Sequence, residues 1–119
     1  MADETRVETA AMRRARRRID ALDRRIVRLL NERSRLGLEV GAAKAADGRP
    51  VRDAHREREV LLRVAAANEG PLPQADLLAV YRRLMVATRR LEIGARRRDR
   101  EARQRERYGR QRDRDRSPG

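Results

Sequence analysis

From Met12 to Ala46 the apolar residues keep one spacing, and that spacing commits the stretch to a single long helix. Met12, Ala15, Ile19, Leu22, Ile26, Leu29, Leu36, Val40 and Ala43 fall alternately three and four apart, the seam of a helix packed against another. The slot between Leu29 and Leu36 holds Arg33 instead. Lys44 follows Arg33 by eleven residues, and at ~100° per residue eleven residues return to within about 20° of the same face. Two cations therefore look out from the side the helix is expected to bury. Gly37 and Gly41 lie between them, although each costs a helix interior roughly 1 kcal/mol. The residues alone leave two readings of the glycines open: a hollow bounded by the cations, or the close approach of another helix.

A helix of that reach, ~50 Å at ~1.5 Å per residue, exceeds the breadth of a compact domain built from so short a chain. It is expected to be shared with a second chain or folded back upon. Composition points the same way. With 119 residues, 39% apolar content, two Tyr and neither Phe nor Trp, one chain cannot assemble a large core, so a partner chain is the natural source of burial. The absence of Cys and the single histidine, His55, argue against disulfides and against a bound metal. No apolar run approaches the length of a membrane span, and MADETRVETA is acidic where a signal peptide is basic, so a soluble, cytoplasmic protein is expected.

The net charge of +13 is unevenly placed. Residues 95–119 contain eleven Arg against five Asp and Glu. Lys44 is the one Lys in the chain. Where basic positions are otherwise Arg, a retained Lys marks a candidate site for a compact ammonium in place of a flat guanidinium fork.

Along the chain, residues 1–10 read as a polar lead-in. Gly48 and Pro50 break the first helix. Asp53 is the natural N-cap of a second helix over about 53–68, ended by Gly70-Pro71. Its stripe Val60, Leu61 and Val64 continues upstream into Asp53, Arg56 and Glu57. A third helix is expected from near Pro73, with Leu77, Leu78, Tyr81, Leu84, Met85 and Leu91 inward and Thr88 and Glu92 extending that side. Each polar intruder has an ordinary reading: Arg33 paired with a glutamate across a seam, Arg56 and Glu57 a solvated first turn, Glu92 a charge at a helix end. All three helices nonetheless set charge on the face to be buried, and an unpaired buried ion costs several kcal/mol. Asp53, Glu57 and Glu92 supply some counter-charge; an anionic ligand would supply the rest.

The runs RARRRIDALDRRIVRLLNERSRLGLEVGAAK, RPVRDAHREREVL, NEGPLP and YRRLMVATRRLE resemble the all-helical (AroQ-class, type II) chorismate mutases across about Arg13 to Glu92. The resemblance implies an all-α fold of three helices with a long first helix, a mutase domain over residues 11–93, and an intertwined homodimer with two equivalent active sites. It maps Arg16, Arg33, Lys44, Asp53, Arg56, Glu57, Thr88 and Glu92 onto the family's active-site positions. On a straight helix Arg16 lies ~25 Å from Arg33 and is rotated by about 100°. If it is a site residue it must come from the other subunit.

The implied reaction is the Claisen rearrangement of chorismate to prephenate, a unimolecular pericyclic step needing no cofactor, metal or nucleophile. Arg33 and Arg16 of the partner subunit are assigned to the two substrate carboxylates, and Lys44 to the breaking ether oxygen. Glu57 and the Asp53 backbone are expected at the ring hydroxyl, with Arg56 ordering that cluster and Thr88 assisting at a carboxylate. The family carries Gln or Glu at the position of Glu92 as a second donor to the ether oxygen; an ionised carboxylate cannot donate, so Glu92 is expected to work protonated.

Two other activities use the same architecture: rearrangement of 4-amino-4-deoxychorismate and elimination of pyruvate from isochorismate. Residues 94–119 are expected to be a solvated tail, disordered or a frayed helical extension. Nucleic-acid binding through this tail and the Arg13 to Arg18 cluster is a remote reading resting on charge alone, since Tyr108 is the tail's one aromatic. No fused dehydratase or dehydrogenase activity is expected of these 119 residues, whereas regulation by a separate partner enzyme of the aromatic pathway stays open.

Overall fold

The computed structural model describes residues 7–116, and among them three helices and no strand: α1 over Ala10–Ala46, α2 over Ala54–Ala67 and α3 over Gln74–Arg116. Most of the lead-in expected over residues 1–10 lies outside the described residues. Its end supplies the cap of α1: the Thr9 hydroxyl accepts from the Met12 backbone N–H at 3.1 Å, satisfying one of the donors that a helix start leaves without an intrahelical partner.

The chain divides into two units, Met1–Arg35 and Leu36–Gly119. In the first, the seam expected to be buried is open: Ile19, Leu22 and Leu29 are each a little over half exposed, and Met12 and Ile26 slightly less.

The second unit joins the end of α1 to α2 and α3. Asp53 caps α2 as expected, its carboxylate accepting from the Arg56 backbone N–H at 3.0 Å. Asn68 closes the helix, and its side chain then bridges the following turn, donating to the Leu72 carbonyl at 3.0 Å and accepting from the Gly70 N–H at 3.0 Å. Gly70 sits at φ +79, where a side chain would be strained. α2 packs on α3, with Val60, Leu61 and Val64 half-buried on one side and Leu77, Leu78, Tyr81 and Leu84 on the other. Met85 is the one hydrophobic side chain classed as buried among the described residues.

Two differences concern faces. Leu36 and Val40 of the seam are more than half exposed, while their neighbours Gly37, Gly41 and Lys44 turn toward α3. A step of one residue turns the face by ~100°, so the seam and the packing face of α1 are different sides of the helix. On α3, Leu91 is 40% exposed and the adjacent Glu92 takes the inward position. Residues 95–116 continue α3 without a break. Arg, Glu, Gln and Ala are good helix formers, and Asp99 pairs with Arg103 one turn on at 3.0 Å. Arg112 lies over the Tyr108 ring at 5.9 Å.

Candidate active site

The polar centre of the second unit is built where α1 and α3 approach closely. A Cβ placed on Gly37 would lie 2.6 Å from Thr88 Cγ2, and one on Gly41 would lie 2.7 Å from Glu92 Cγ. The glycines therefore serve close approach, and the space they vacate is filled by the side chains of Thr88 and Glu92. Glu92 is 6% exposed, a buried carboxylate that must find a partner. Lys44, one turn beyond Gly41, provides it.

The Lys44 ammonium donates to Glu92 Oε2 at 3.1 Å and to the Val51 carbonyl at 2.6 Å. Two acceptors from different elements fix its direction, and one ammonium N–H remains for a further acceptor. Val51 belongs to the α1–α2 connection, which is tied at both faces of Arg49: its N–H donates to the Lys44 carbonyl at 2.8 Å, and its carbonyl accepts from Arg96 Nη2 at 2.7 Å. The connection that carries the Lys44 acceptor is thus tied to α3 at Arg49.

Around the first turn of α2 the arrangement departs from expectation. Glu57 is partly buried and takes its partner from α3: Arg89 Nη1 stands 2.6 and 2.5 Å from the two carboxylate oxygens. Arg52 Nε is 4.0 Å away on the same carboxylate. Arg56, expected to order this cluster, pairs with Glu59 in an exposed position. The Thr88 hydroxyl donates back to the Leu84 carbonyl at 3.0 Å. Of the eight residues singled out in the sequence, Lys44, Glu57, Thr88 and Glu92 stand in this unit with partly or wholly buried side chains, and Asp53 and Arg56 stand at its exposed rim. Arg33 and Arg16 lie in the first unit, Arg16 paired with Glu8 on an open surface.

Beside Glu92 the groove between the end of α1 and α3 encloses about 610 Å³, with Leu38, Gly41 and Ala42 on one wall and Arg96, Arg100 and Arg103 on the other. Arg89, Arg96 and the Val51 carbonyl were not singled out by sequence reasoning. In a chain with 32 Lys and Arg, one more Arg carries little information, and a backbone carbonyl carries none.

A small helical domain with a half-buried ammonium held between a carbonyl and a carboxylate is suited to binding an anion and stabilising charge on one of its oxygens. Comparison with known proteins agrees. The family described as chorismate mutase type II matches residues 15–93. The chain is 34% identical over 80 residues to the bifunctional chorismate mutase/prephenate dehydratase of Aquifex aeolicus, covering 64% of this chain and 22% of that protein. It is 51% identical over 49 residues to the enzyme of the same description from Escherichia coli K12, covering 41% of this chain and 13% of that one. The chain thus spans less than a quarter of the length of these relatives. Among solved structures, chorismate mutase from Thermus thermophilus in its Form II superposes with a TM-score of 0.67 at 34% identity, covering 69% of this chain and 93% of that one. Form I gives 0.64 at 33% identity, with 66% and 98% covered. The chain belongs to the chorismate mutase type II family.

Proposed function

We propose that this domain is a chorismate mutase, converting chorismate to prephenate by intramolecular Claisen rearrangement. The observation that carries the reading is the Lys44 ammonium, held by Val51 and Glu92 with one N–H uncommitted. In the reaction the ether C–O bond breaks as the new C–C bond forms, and negative charge grows on the ether oxygen. A fixed ammonium at that oxygen lowers the barrier without a proton transfer. Arg33 and Arg16 of the partner subunit take the two carboxylates, holding the enolpyruvyl arm over the ring. Glu57 accepts from the ring hydroxyl, with the Asp53 backbone beside it, and Thr88 assists at a carboxylate. Arg56 closes the rim of this cluster. Glu92, paired with Lys44, is the second side chain set at the ether oxygen.

The working unit is a homodimer. Exposed apolar residues in both units, Ile19 to Leu29 in the first and Leu36 and Val40 in the second, and Met85 as the one buried hydrophobic residue among the described residues leave one chain without the core that a domain of this size needs. A second copy covers these residues and delivers its Arg16. No helix among the described residues is long and apolar enough to cross a membrane. The test is a product assay. Chorismate is expected to yield prephenate, and isochorismate to release no pyruvate; pyruvate from isochorismate without prephenate from chorismate would assign the lyase activity instead.

A further inference from the structure

The Arg89–Glu57 pair is a feature of this chain that the reaction as described does not require. Its geometry is close: one guanidinium nitrogen reaches both oxygens of one carboxylate, at 2.6 and 2.5 Å, from a different helix. The side chains are 27% and 20% exposed, so screening by water is weaker here than at the surface. Arg52 adds a second cation at 4.0 Å. Glu57 is in consequence oriented and electrically compensated, yet each of its oxygens keeps a lone pair able to accept from a ligand.

A compensated carboxylate discriminates between two kinds of donor. A ring hydroxyl donates one hydrogen and brings no charge, so it loses nothing by meeting Glu57 beside two guanidinium groups. A protonated ring amine offers a similar donor but carries a positive charge, which the lone carboxylate would attract and which Arg89 and Arg52 repel. Selectivity built on a repulsive element of this sort is common where two ligands share their attractive contacts.

We infer that Arg89 is a positioning residue that sets Glu57 to accept from a ring hydroxyl and turns away the analogue bearing an ammonium at that ring position. The inference rests on the reading of Glu57 as the acceptor of the ring hydroxyl. It decides between two substrates that share the rest of the site, chorismate and 4-amino-4-deoxychorismate.

The experiment measures kcat/KM for both compounds at mildly acidic pH, where the amine is protonated, in the wild type and in Arg89→Gln, Arg89→Leu and Arg89→Lys. The folding of each variant is checked by helical circular dichroism and thermal melting. The wild type is expected to favour chorismate by about 100-fold or more, and loss of the charge in Arg89→Gln or Arg89→Leu to narrow that ratio by about tenfold, while Arg89→Lys keeps it within about threefold. A strut with no part in selectivity would lower both activities by one factor, and an unchanged ratio in the folded variants overturns the inference while leaving the mutase reading intact. So does a wild type that prefers the amino compound, or failure of both uncharged variants to fold. A wild type that rearranges neither compound overturns the functional reading, and the inference with it.

Discussion

Lys44 Nζ stands 3.1 Å from Glu92 Oε2, and the two side chains are 15% and 6% exposed. The two side chains that the proposed mechanism sets at one substrate oxygen are therefore in direct contact, the ammonium donating and the carboxylate accepting. An ionised carboxylate offers no hydrogen to the substrate, whereas Glu92→Gln presents an amide N–H at the same place. Glu92→Gln is expected to hold kcat within about threefold or raise it, and Glu92→Ala, which offers neither group, to lower it about 100-fold. Steady-state kinetics of the three proteins decides the point, and equal kcat in all three would remove Glu92 from the site.

Lys44→Arg keeps the charge and changes the shape. The guanidinium is longer and planar, whereas the site accepts a compact ammonium between the Val51 carbonyl and Glu92. The variant is expected to fold and assemble as the wild type does, with kcat/KM reduced about 100-fold or more, the loss typical of one misplaced donor to a developing oxyanion. Steady-state kinetics with a sedimentation control checks it; a rate within about threefold of wild type would make Lys44 an accident of composition.

The glycines separate into those that a side chain would disturb and those it would not. At Gly41 an added Cβ lies 2.7 Å from Glu92 Cγ, so Gly41→Ala must push Glu92 away from Lys44. Overpacking of this kind costs ~1–3 kcal/mol, more than the ~1 kcal/mol gained in helix propensity. A lower melting temperature and at least about a tenfold loss of kcat/KM are expected. Gly109 has no atom within 4 Å of the same construction. Gly109→Ala is expected to raise helical circular dichroism and leave kcat unchanged.

The elements were legible because their signals are local. Asp53 followed by a helical stripe places the start of α2, and Asn68 with Gly70-Pro71 places its end. The faces were less legible. Leu36 and Val40 announce an apolar side without saying which chain covers it, while Gly37 and Gly41 left a hollow or a close approach open, and the choice is made by Thr88 and Glu92, some fifty residues on. Lys44 was conspicuous because it is the chain's one lysine. Arg89 and Arg96 were hidden among identical residues, and their partners follow from the packing of α2 and of the α1–α2 connection on α3.

Arg96 lies beyond residue 93, where the match to the family ends, yet its Nη2 holds the Arg49 carbonyl at 2.7 Å. Loss of such a bond is worth ~1 kcal/mol. Arg96→Ala is expected to raise amide hydrogen exchange over residues 49–53 by about fivefold, the local opening that ~1 kcal/mol permits, and truncation after Ile93 is expected to do the same. Arg107→Ala, on the exposed part of α3, serves as the control and is expected to change nothing. Equal exchange in all three proteins would show that the connection holds itself.

The assignment of Arg16 to the neighbouring subunit's site can be tested without a structure of the dimer. In the proposed dimer Arg16→Ala removes a carboxylate ligand that a chain would lend to its partner, and Lys44→Ala removes the ammonium that a chain would use itself. Each homodimer has two defective sites and is expected to lose nearly all activity. In the mixed dimer the defects fall together: the site on the Lys44→Ala chain receives the altered Arg16, and the other site receives an intact Lys44 and an intact Arg16. Refolding the two inactive proteins together is therefore expected to restore activity. Random assortment makes half the dimers mixed with one sound site each, or about a quarter of the wild-type activity per site. The readout is the rate of chorismate loss before and after co-refolding. If Arg16 served its own chain's site, both sites of the mixed dimer would carry one defect and no activity would return.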